Sequence, residues 1–141
     1  MKQGRRLPIG AVWLVTVVIM WVVTTAVLAV MIGATRPHAT AASLATTALG
    51  SAAFACVVVG GPATGVALRV RRTCGPARAA LSGLATAALI MLFVWSYLEA
   101  SGTSVTGAWG VVTPVFVVAV VEIGLAFALR GRRAPVAEPS E

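Results

Sequence analysis

Polar residues break this chain at a few short places, and the runs between them are long and nearly free of charge. Ile9 to Ile32 contains no charged residue. At 1.5 Å per residue these roughly 24 residues extend about 36 Å, enough to cross a hydrocarbon core of roughly 30 Å with some tilt. Similar runs follow at about 41–68, 79–98 and 108–129. Runs of this length and apolarity are expected of helices solvated by lipid. The pattern predicts an all-α membrane protein with four transmembrane helices, at about residues 9–32, 41–68, 79–98 and 108–129. Together they form a single four-span domain over residues 1–133. Residues 134–141, with their Pro and Glu content, predict a disordered tail.

The breaks fit this division. Pro8 is a suitable residue for the start of a helix. Pro37 disfavours helix at Arg36, so Gly33 to Thr40 reads as a turn, with His38 a solvated loop residue. Gly75-Pro76 marks a turn, and residues 100–107 form a small polar connector without a basic residue. Pro114 is expected within the first turns of the last span, where a missing donor costs least. The first run exceeds the about 7–15 apolar residues of a secretory signal, so it reads as an uncleaved span.

Within the spans, small residues mark helix faces. Ser43, Thr47, Ser51 and Ala55 recur every fourth residue, as do Ala79, Gly83 and Ala87, and such faces let helices approach closely. Gly61 and Gly65 form a Gly-x-x-x-Gly pair. Pro62 cannot donate to the carbonyl of Val58, which predicts a kink in the second span. Trp95, Tyr97 and Trp109 read as an interfacial belt, with Trp13 near the opposite interface. Trp21 lies mid-span and is expected to pack between helices, beside Thr24 or Thr25.

Composition explains why lipid is the solvent. Of 141 residues, 59% are hydrophobic and 11% charged, against about 25% charged in soluble domains. The net charge is +7, and its placement sets a topology. Lys2, Arg5 and Arg6 precede the first span. Arg69, Arg71, Arg72 and Arg78 lie between the second and third. Arg130, Arg132 and Arg133 follow the fourth, and Arg36 alone occupies another connector. With four spans, ten of the eleven basic residues share one side. Cytoplasmic loops carry this excess, so two helical hairpins with cytoplasmic N- and C-termini are expected. The arginines of the central loop and C-terminal segment, Arg69, Arg71, Arg72, Arg78, Arg130, Arg132 and Arg133, would touch anionic headgroups. Basic clusters flanking apolar spans point to the bilayer rather than to nucleic acid. The high Arg-to-Lys ratio with abundant Ala, Val and Gly suggests a GC-rich bacterial genome, and the expected location of the four spans is the bacterial cytoplasmic (inner) membrane.

The chemical inventory is thin. There is no Asp, one His, and two separated Cys, Cys56 and Cys74. Acid–base pairs, metal clusters and nucleophile triads all need such groups in combination, so no enzyme, metal or cofactor is expected. Glu122 is the exception: an ionisable residue inside a span, about 12 Å from Arg130 along the helix. Intramembrane carboxylates are costly and therefore functional candidates. Counting inward from the basic ends places Thr16, Gly60-Gly61 and Thr86 at its depth. A neutral Glu122 would donate to the carbonyl of Val58 or accept from a threonine. The leading expectation is a non-enzymatic accessory or structural subunit that associates with a membrane-protein partner or with itself as a homo-oligomer. The alternative is a minimal oligomeric transporter or channel using Glu122 as its proton- or cation-coupling carboxylate.

Overall fold

A computed structural model describes residues 8–131. Lys2, Arg5, Arg6, Arg132, Arg133 and the 134–141 tail lie outside the described residues. The described chain folds into helices α1 (Ile9–Thr35), α2 (Ala41–Ala53), α3 (Gly61–Val70), α4 (Pro76–Ala100) and α5 (Val105–Gly131), with a π-helical stretch, Phe54–Gly60, joining α2 to α3. Counting α2, the π stretch and α3 as one, four helices are long and apolar enough to cross a membrane.

Local chemistry sets the helix ends. The Pro8 carbonyl accepts from Ala11 and Val12, opening α1. Its C-terminus runs to Thr35, past the expected Ile32, because the Thr35 hydroxyl folds back onto the Met31 and Ile32 carbonyls. Thr40 caps α2, its hydroxyl accepting from the Ser43 amide. Gly75 caps α4, and Pro76 takes the first helical turn, where its missing donor has no helical acceptor to serve. The third helix therefore begins before the expected Ala79. Gly102, at φ 78°, turns the chain into α5 in a left-handed conformation open to glycine. The Ser104 hydroxyl accepts from the Gly107 amide, so α5 starts at Val105 rather than Ala108. That earlier start corrects the reading of Pro114, which lies inside the helix and not in its first turns.

Pro62 acts through the turn before it. The Gly61 amide donates to the Cys56 carbonyl, five residues back, so the missing proline donor is absorbed in a wide π turn within a continuing helix.

The helices meet through small side chains. Ala55, Val59, Ala63 and Ala67 pack with Ala87 and Met91 of α4, and with Val115, Ala119 and Ile123 of α5. On α4 the buried face is Ala79, Gly83, Ala87 and Met91. A methyl built on Gly83 would lie 2.9 Å from the Ala63 carbonyl oxygen, the Ala67 Cβ and the Ile123 Cδ1, so three helices converge on this glycine. A second cluster, Val12, Leu68 and Ala126, joins α1 near its N-terminus to α3 and α5 near their C-termini. Beyond Met20, α1 has no fully buried residue.

One expected face is turned the other way. Ser43, Thr47 and Ser51 are exposed, and the buried residues of α2 are Ala48 and Ala52. The wide π turn shifts the buried side along the second span, so only Ala55 of that series reaches the core. Trp21 is likewise not enclosed. It is 37% exposed and donates its indole N–H to the Leu49 carbonyl at 3.4 Å.

A buried polar layer around Glu122

Helical spacing assembles the site. Val12, Leu68 and Ala126 touch one another. Moving one turn away from this end of the bundle means four residues forward on α1 and four back on α3 and α5. Those steps reach Thr16, Thr64 and Glu122. All three are completely buried, and they are the buried polar residues among those described. A polar layer therefore sits directly on the apolar one.

The Glu122 side chain leaves this layer toward Gly60, because helical side chains lean toward the N-terminus. A methyl on Gly60 would overlap the carboxylate, with its carbon only 2.8 Å away. The absent side chain of Gly60, the last residue of the π stretch, is what makes room for the acid. One turn further along, Cys56 is fully buried with its thiol 3.6 Å from the Thr24 hydroxyl.

The layer is short of partners. Neither oxygen of Glu122 has a hydrogen bond, and neither does the Thr64 hydroxyl. Thr64 faces the carboxylate closely enough to interact with it, without hydrogen-bond geometry. The Thr16 hydroxyl donates to the Val12 carbonyl at 2.7 Å, which spends its proton within its own helix. A buried carboxyl group in this state is unusual, since such groups are normally satisfied.

The expected members divide among several places. Thr16 lies in the layer and Gly60 lies against the acid. Gly61 turns to α1 instead: its carbonyl accepts from the Trp13 indole at 2.8 Å. With Gly65 it forms a bed for that ring, since methyls there would lie 3.5 and 3.6 Å from Trp13. The Gly-x-x-x-Gly pair thus receives a side chain. Thr86 is half-buried and bonded to the Ser82 carbonyl at 2.9 Å. The expected bond from Glu122 to the Val58 carbonyl is not made. Thr64 was missed, although Cys56, Gly60, Thr64 and Leu68 recur every fourth residue and so share a helix face.

The arginines also divide. Arg71 donates to the Phe127 carbonyl at 3.2 Å and stacks its guanidinium 4.5 Å from that ring's centre. Arg130 donates to the Leu68 carbonyl at 3.1 Å. Each of α3 and α5 thus ends with an arginine bound to the other helix's backbone. Arg69, Arg72 and Arg78 are exposed. At the opposite end, Trp95 and Trp109 meet edge to face at 5.2 Å, joining α4 to α5. No group of three or more potential metal ligands occurs among the described residues.

The chain matches no protein-family model, no curated protein and no solved structure.

Proposed function

We propose that this chain is a non-catalytic, multi-pass protein of the bacterial inner membrane that works by associating with a second membrane-embedded chain, either a copy of itself or another protein. The observation that carries this reading is the outward face of α2. Ser43, Thr47 and Ser51 are exposed, and the hydroxyls of Thr47 and Ser51 have no hydrogen bond to any described residue. In lipid such hydroxyls gain from an acceptor on another helix, and small side chains let that helix come close. Large apolar residues such as Leu81, Leu89 and Phe93 make the exposed surface of α4 better suited to lipid. The one-sided distribution of basic residues supports cytoplasmic termini.

The test is assembly in a mild detergent. The native chain should purify with a partner or as an oligomer. A Thr47→Leu/Ser51→Leu variant, bulkier on that face and without its hydroxyls, should lose the assembly while keeping its helical content. A chain that is monomeric and alone in both forms would defeat the reading.

A second reading rests on Glu122. A fully buried acid without hydrogen bonds, beside a π turn, is the kind of group that couples proton or cation movement. Reconstitution with Glu122→Gln separates the two. Ion-dependent flux that disappears on substitution would favour coupling over a purely associative role.

A further inference from the structure

Arg69 and Arg72 stand at the mouth of a groove of about 700 Å³ between α1 and α3. The floor is the Trp13 indole lying over Gly61 and Gly65. Its only polar hydrogen is already donated to the Gly61 carbonyl, so the floor offers no free donor. The walls are aliphatic, supplied by Ile9, Val57 and Val66. The groove therefore has a cationic end and an apolar length.

Its dimensions suit one kind of occupant. From Arg69 back to Val57 is a helical rise of about 18 Å. That is close to one leaflet, about half of the roughly 30 Å hydrocarbon thickness. A molecule filling it needs an anionic head at the arginines and a chain of about one leaflet's length below. The two arginines are available for this, since neither guanidinium has a hydrogen bond or ion pair with a described residue. Arg71 is engaged elsewhere, on Phe127.

We propose that this groove is a specific binding site for one anionic phospholipid. The phosphate lies between Arg69 and Arg72, and an acyl chain runs down the Trp13-covered glycine face. Basic pockets between membrane helices recognise lipid headgroups by this chemistry. The site differs from general attraction to the bilayer surface, in which any exposed arginine would contribute equally. Arg78, exposed on α4 and outside the groove, provides the comparison.

The experiment is native mass spectrometry of the full chain in mild detergent, titrated with phosphatidylglycerol or with phosphatidylcholine. One phosphatidylglycerol should be retained in preference to phosphatidylcholine. Arg69→Ala/Arg72→Ala should weaken retention about 30-fold, taking the usual contribution of a basic residue at an anionic surface for each. Arg78→Ala should leave retention unchanged. Gly65→Leu, which fills the groove and keeps both arginines, should abolish it while helical content is maintained. Equal losses from Arg72→Ala and Arg78→Ala would overturn the proposal, as would full retention by Gly65→Leu. Displacement of the lipid by excess inorganic phosphate would also overturn it, because the acyl chain would then contribute nothing.

Discussion

The carboxylate of Glu122 occupies the space that a side chain on Gly60 would need. The two positions are therefore coupled across the interface between α5 and the π stretch. Gly60→Ala should destabilise the protein by about 1–3 kcal/mol, the usual cost of overpacking a close contact. The same substitution in a Glu122→Ala background should cost much less, because the obstructing group is gone. Thermal unfolding of the two single variants and the double variant in detergent gives the interaction energy. Simple additivity would show that the two residues are not in contact.

Gly83 and Gly124 should respond in opposite ways to the same change. A methyl on Gly83 meets a backbone oxygen, an alanine Cβ and a leucine-sized neighbour, Ile123, all at 2.9 Å, and the first two cannot rotate away. Gly83→Ala should lower stability by about 1–3 kcal/mol. Nothing lies within 4 Å of a methyl on Gly124. Gly124→Ala should be neutral or stabilising by up to about 1 kcal/mol, through helix propensity alone. Unfolding midpoints of both variants under one detergent condition check the contrast.

Arg71 should resist conservative replacement. Its guanidinium both donates to the Phe127 carbonyl and lies over the Phe127 ring. A lysine keeps the charge but lacks the planar group that does both at once. Arg71→Lys should therefore lose most of what Arg71→Ala loses, about 1 kcal/mol for this partly exposed contact. Full rescue by lysine would reduce the contact to simple charge.

The spans were legible because lipid imposes a plain rule: charge stays out of the runs between breaks. Their ends were less so. Thr35, Ser104 and Pro76 each extend or start a helix through hydroxyl bonding or a proline at the first turn, where polarity alone suggested a loop. Rotation about each axis depended on contrast. On α4 the small face Ala79, Gly83 and Ala87 stands among Leu81, Leu89 and Leu92, and it is the buried one. On α2 both faces are small, so spacing could not choose between Ser43–Thr47–Ser51 and Ala48–Ala52. The π turn then moved the phase again, which no local pattern of Val and Gly announced. The same phase places Thr64 beside Glu122. Depth counting came near this by finding Gly60, because the acid leans one turn away from its own Cα.

The most direct measurement is disulfide cross-linking in native membranes. A Thr47→Cys substitution in a Cys74→Ser background places a reactive thiol on the outward face of α2, while Cys56 stays buried. Mild oxidation should yield a heavier species, either a dimer of this chain or an adduct with another membrane protein. Leu89→Cys in the same background, on the exposed surface of α4, should yield none. A chain that stays monomeric with Thr47→Cys, or cross-links equally from Leu89→Cys, would contradict association through α2.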